Sequence, residues 1–240
     1  MFTLAIDSNI MYIESALERG ENIPRWVSAV GDDNLRIIRK MFELKDRGLI
    51  DIVLPRGSWE ETLGANEDPD INEGNVHFIS DRLHGKLAPP GNSDERWALA
   101  HALREEEMVF NEYNKKMQLA QVRKTAMSVK DKDDAQIMAD CLVYNEMLKQ
   151  RGEEPLAGLI TINFRDFIGC YHTFPQSYTP SETDVLNDAG NAILQDNIRL
   201  RIGQFAEAKG YTFTPPMLPV EIEGKLKEIE ATSESEMGFE

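Results

Sequence analysis

The stretch FTLAIDSNI, residues 2–10, decides the reading of this 240-residue chain. Phe2 to Ile6 carry no charge, and the run stops abruptly at Asp7. That is the pattern of a buried strand with a carboxylate at its carboxyl end. Ile10, Met11, Ile13 and Ala16 then recur at helical spacing. The same alternation continues downstream. Leu35, Ile38, Met41, Phe42 and Leu44 predict a helix over 34–45, and GLIDIVLP (48–55) predicts a strand bounded by Gly48 and Pro55. A helix apolar on most faces is expected over 133–148, and LAGLITI (156–162) reads as a further strand ending at the polar group Asn163, Arg165 and Asp166. Strands alternating with helices argue for an α/β sandwich with a central parallel sheet. In such sheets ligands bind beyond the carboxyl ends of the strands, where Asp7 and Asp166 could converge.

Between these units lie less regular segments. Residues 64–93 are rich in Gly and Pro and read as loop, with a short ordered piece near 76–83. From 94 to about 127, Trp97, Ala100, Leu103, Met108, Tyr113, Met117, Leu119 and Val122 form a long helical pattern. A helix is expected over 182–208 after the capping candidate Ser181, and YTFT (211–214) reads as a last short strand. From 221 onward seven acids face only Lys225 and Lys227, and the final turn or two is expected to be disordered.

Composition narrows the classes. With 41% hydrophobic and 28% charged residues the chain can bury an ordinary core, so a disordered chain is excluded. The net charge of −16 excludes a globally basic nucleic-acid coat. Cys141 and Cys170 show no CxxC pairing, which fits a reducing cytosol and supports neither a disulfide framework nor a zinc knuckle. No secretory pattern and no run of about 20 apolar residues is read, so a cytoplasmic protein with no membrane association is expected.

The acids carry the chemistry. Asp7, Glu60 or Glu61, Asp133 or Asp134, and Asp166 all fall at strand ends or helix starts. Several carboxylates in one pocket cannot all ionise without a counter-charge. Hard oxygen ligands suit Mg²⁺ or Mn²⁺, which activate water for phosphodiester hydrolysis.

In this order LAIDSNI (4–10), the acid of LPRGSWEETL (54–63), DDAQIMADCL (133–142) and LITINFRDF (159–167) resemble the four successive acidic motifs of PIN-domain ribonucleases. The resemblance covers roughly residues 1–170. It implies a three-layer α/β/α sandwich over 1–180, to which the chain's own pattern adds a helical insertion at about 65–130 and a C-terminal helical extension with an acidic tail over 181–240. It implies Asp7, Glu61, Asp134 and Asp166 as metal ligands and catalytic acids. Ser8, Asn9, Thr161 and Asn163 would support them. Glu60 and Glu61 lie about 100° apart on a helix, so only one faces the pocket; Glu61 is favoured and Glu60 stays open. Asp133 reads as a first-turn acid favoured by the helix dipole. The fourth motif departs from the common pattern, since Asn163 stands two residues after Thr161 where the family has Asp; Asp166 then supplies the acid. Asp140, six positions beyond Asp134, is on another face and is expected to be solvent-exposed or salt-bridged. The four histidines are scattered and read as structural.

A polyanion would need a basic path. Lys115, Lys116, Arg123, Lys124, Lys130 and Lys132 face only Asp131, a local charge of +5 that runs into Asp134. Such residues give sequence-independent, salt-sensitive phosphate contacts, although a solvated helix face reads the same way. Arg165 adds a cation beside Asn163; Arg25 and Arg56 are lone candidates.

The resemblance implies an endoribonuclease that leaves 5′-phosphate and 3′-hydroxyl ends. Its partners would be RNA and, if it is a toxin, an antitoxin-like protein; a homodimer is a family expectation. An RNA-processing or defence role fits the longer chain equally. The alternative from another class is a catalytically inactive PIN-like interaction module, suggested by Asn163 and the acidic tail. A phosphatase or receiver domain also places an Asp after its first strand, but Asn9 stands where the phosphatase needs a second Asp, and the receiver's adjacent acids are missing.

Overall fold

The computed structural model describes residues 1–18, 20, 31–65, 76–79, 81–90, 93–103, 132–162, 167 and 197–237. The apolar run after Met1 forms β1 (Phe2–Ile6), and α1 (Ser8–Glu18) follows with Asp7 as the only joint. Next come α2 (Asp32–Asp46), β2 (Ile50–Pro55) and α3 (Arg56–Ala65). Then follow β3 (Leu87–Ala88), α4 (Lys132–Gln150) and β4 (Leu159–Ile160). The chain closes with α5 (Asn197–Lys209), β5 (Pro216–Met217), a 3₁₀ turn (Pro219–Ile222) and α6 (Glu223–Met237). Further helical stretches cover 76–79, 81–83 and 94–103.

The five strands form one sheet in the order β3-β2-β1-β4-β5, and every pair is parallel. Alternation of side chains along the strands feeds two cores. Leu4, Ile6, Ile50, Ile52, Leu54 and Ile160 face one side, where α1, α2, the 76–83 stretch and α6 cover them. Ala5, Val53, Ala88 and Leu159 face the other, against the 94–103 stretch, α4 and α5. The molecule is thus a three-layer α/β/α sandwich with a central parallel sheet.

Several expectations are corrected in detail. β3 lies inside the segment read as loop, because a two-residue strand before two prolines carries no periodicity. The strand expected at YTFT forms instead at Pro216–Met217. Side chains of α4 have taken the YTFT backbone: the Thr212 N–H donates to Glu146 Oε1 at 3.0 Å, and Asn145 Nδ2 donates to the Thr212 carbonyl at 2.9 Å. Pro216 suits its place, because β5 is an edge strand where a missing N–H costs no ladder bond. The acidic segment after 221 is helical to Met237, with Ile222 and Leu226 buried in the core. Its acids lie against the cations of α2, where Glu230 accepts from Lys40 at 2.5 Å and Arg47 at 2.7 Å, and Glu223 from Arg36 at 2.9 Å. The insertion beyond 103, through residue 131, and the helix expected over 182–196 lie outside the described residues. Among the described residues no helix is long and apolar enough to cross a membrane.

Candidate functional site

Strand order reverses direction between β1 and β4, since the chain steps from β1 through β2 to β3 on one side and resumes with β4 on the other. Adjacent strands that leave in opposite directions open a crevice at their carboxyl ends. Asp7 and Thr161 occupy those two ends. The Asp7 N–H donates to the Ile160 carbonyl at 2.9 Å, and its own carbonyl accepts from Ile10 and Met11 to start α1.

The Asp7 side chain is turned across the crevice. Its Oδ2 accepts from Thr161 Oγ1 at 2.7 Å and Asn9 Nδ2 at 2.6 Å, and its Oδ1 accepts from the Ser8 N–H at 2.7 Å. Asn9 is fixed in turn, because its Oδ1 accepts from the Ile162 N–H at 3.3 Å. Ser8 Oγ lies 2.7 Å from Glu61 Oε2 and 3.3 Å from Asp7 Oδ1. A hydroxyl has one proton to give, and the shorter contact assigns it to Glu61. Asp7 is only 2% exposed, and these partners are all neutral. Burial therefore pushes its pKa above the ordinary carboxylate value, and the donors from Thr161, Ser8 and Asn9 only partly oppose the rise.

Asp134 is the third residue of α4, at the helix N-terminus, and is buried. Glu60 and Glu61 are separated by the structure. Glu61 meets Ser8, whereas Glu60 accepts from Arg96 Nη2 at 2.9 Å. Ser8, Asn9 and Thr161 all gather on Asp7. Asn163, Arg165 and Asp166 lie outside the described residues, as do Lys115, Lys116, Arg123, Lys124, Lys130, Arg25 and His172; of Lys132 only the backbone is described. His77, His84 and His101 are exposed. Arg56 donates to the carbonyls of Pro89 at 3.4 Å and Pro90 at 2.7 Å.

Asp140 is ion-paired, as one of the two alternatives had it, and it is wholly buried rather than solvated. Arg96 Nε donates to Asp140 Oδ1, and the Gly57 N–H donates to Oδ2 at 2.5 Å. Burial pushes the Asp140 carboxyl up to about 6 even though Arg96 and Gly57 oppose it. Arg96 is absent from the helical pattern read over 94–127, which begins at Trp97. Trp97 is 38% exposed, and the buried positions are 96, 99, 100 and 103. That i, i+3, i+4, i+7 spacing was the available signal for a buried arginine.

The carboxylates of Asp7 and Glu61 are hard oxygen ligands, and a buried carboxylate held by neutral groups is a place that a cation would stabilise. Among the described residues, however, no group of three or more His, Cys, Asp or Glu side chains is placed to hold a metal ion; Asp7 and Glu61 form a pair linked through Ser8. Comparison of the chain with protein-family models, with curated proteins and with solved structures returned no match.

Proposed function

We propose that this chain is a metal-dependent endoribonuclease of the PIN type. The observation that carries the reading is Asp7, a buried carboxylate at the switch point of a parallel sheet, held by neutral donors and one serine away from Glu61. Asp7, Glu61, Asp134 and Asp166 would hold one or two Mg²⁺ or Mn²⁺ ions. Such ions supply Lewis acidity and water activated at neutral pH. Ser8, Asn9 and Thr161 keep the Asp7 oxygens oriented towards the crevice. Asn163 would orient water or phosphate. Lys115, Lys116, Arg123, Lys124, Lys130, Lys132 and Arg165 would bind the RNA backbone without sequence preference, in a salt-dependent way. A toxin held by an antitoxin-like partner, as a homodimer, is one setting for this activity, and RNA processing is another.

The second reading is a PIN-like interaction module without catalysis. Two observations favour it: the pair rather than triad of acids among the described residues, and Asn in place of Asp at position 163. Generic single-stranded RNA incubated with Mn²⁺ separates the two. The nuclease reading expects cleavage that Asp7→Ala and Asp134→Ala abolish while the circular dichroism spectrum is retained. No cleavage in Mn²⁺, or cleavage indifferent to Asp7→Ala, sinks it.

A further inference from the structure

We propose that Arg96 and Asp140 form a clamp that sets the rotation of α3 and thereby decides which of the adjacent acids Glu60 and Glu61 is turned towards Asp7. This role rests on the metal-dependent reading of the site. It gives the 94–103 stretch a task at the centre.

The clamp grips α3 at two points one turn apart. At the first, the Gly57 N–H donates to Asp140 Oδ2 at 2.5 Å. At the second, Glu60 receives two bonds from Arg96, Nη2 to Oε2 at 2.9 Å and Nη1 to Oε1 at 3.3 Å. Arg96 joins the two points, since its Nε and its Nη2 both donate to Asp140, Nη2 at 3.2 Å. The guanidinium has two edges, and here each serves one carboxylate; a lysine has no such geometry. The close approach needs a glycine. A Cβ at Gly57 would lie 3.0 Å from the backbone nitrogen of Ile137 and 3.1 Å from Asp140 Oδ2.

About 100° round α3 from Glu60, Glu61 meets Ser8 Oγ at 2.7 Å beside Asp7. Adjacent residues on a helix are about 100° apart. A helix free to turn by that angle would exchange Glu60 for Glu61 at the site, and the buried Arg96 opposes that turn. Its side chain is fully buried, and it holds the two carboxylates from the body of the protein. Arg96 and Asp140 are therefore positioning residues, acting on Glu61 through the helix.

Isothermal titration of the whole chain with Mn²⁺ alone tests this, with circular dichroism to confirm folding. Groups that orient metal ligands change affinity by about 10- to 100-fold when removed. Arg96→Lys, and Glu60→Ala at a half-exposed position that should fold, are each expected to weaken Mn²⁺ binding about tenfold. Glu60→Gln keeps an acceptor for Arg96 and should bind within about twofold of wild type. Binding by Arg96→Lys and Glu60→Ala equal to wild type overturns the clamp. A Glu60→Gln variant as weak as Glu60→Ala also overturns it, because Glu60 would then be a ligand itself. A wild-type chain that binds no Mn²⁺ overturns the metal reading and this role with it.

Discussion

The buried pair of Arg96 and Asp140 supports a double-mutant cycle whose outcome follows from the contacts. Asp140→Leu keeps the branched outline of the side chain and replaces its oxygens with methyl groups. Arg96, with a fully buried side chain, then loses its inner carboxylate. Breaking a buried pair from one side costs about 3–5 kcal/mol, because the remaining charge stays in a poor solvent. The buried Gly57 N–H loses its acceptor as well, for about 1–3 kcal/mol more. The single variant should thus fall by about 4–8 kcal/mol, a large share of the 5–15 kcal/mol typical of a folded domain. Adding Arg96→Met removes the stranded charge. Glu60, at the half-exposed end of the network, can turn to water. The double variant should then lie only about 1–3 kcal/mol below wild type, the cost of the Gly57 N–H. Urea denaturation followed by circular dichroism reads all four corners of the cycle. The double variant should therefore be about 3–5 kcal/mol more stable than Asp140→Leu alone. Additive losses, with the double variant less stable than either single one, would refute the claim that the pair is held by mutual need.

Further expectations concern other parts of the fold. Gly57→Ala drives a methyl to 3.0 Å from the Ile137 nitrogen; the overpacking, about 1–3 kcal/mol, should exceed the gain of up to about 1 kcal/mol in helix propensity, and a melting temperature at or above wild type would contradict it. Glu14 is buried with Oε2 unpartnered, and burial lifts its pKa to about 7, opposed mainly by Arg82. Since the folded-state value lies above the unfolded one, the fold holds this proton more tightly and its stability falls as pH rises from about 4.5 to 7. Glu14→Gln should match wild type near pH 4.5 and exceed it above pH 7, by about 2 kcal/mol after allowing for solvent near the cluster; equal stability across the range would count against it. Leu226→Ala removes a side chain 1% exposed and should cost about 2–5 kcal/mol; a shift in melting midpoint under about 2 °C would show that α6 is dispensable to the core.

The sequence carried the sheet better than its edges. β1 and most of β2 are apolar runs, and residues 134–143 of α4 are all buried with apolar residues at most positions; such patterns need no tertiary knowledge. Asp7 could be placed at a strand end from the same patterns, whereas Ser8, Asn9 and Thr161 are named only through the resemblance to PIN-domain motifs. β3 and β5 were missed or misplaced because two paired residues leave no period to read, and their position is set by hydrogen bonds to β2 and β4. Asp140 and Arg96 show the other limit. An acid on an apolar helix signals a partner, but the partner is 44 residues away, and no local rule names it. The choice between Glu60 and Glu61 likewise depends on that distant arginine.

Thr161 has one further consequence. Its hydroxyl donates to Asp7 while its backbone N–H donates to the Met217 carbonyl at 3.0 Å. The crevice is thus tied to an edge strand about 210 residues downstream of Asp7. Parallel pairings over such separations close late in folding, because the entropy of the intervening loop must be lost before the contact forms. During synthesis the nascent chain would display Asp7 well before the strand that settles Thr161 beside it. Assembly of the crevice is therefore timed by translation: Thr161 settles against Asp7 only once residues near 217 have left the ribosome.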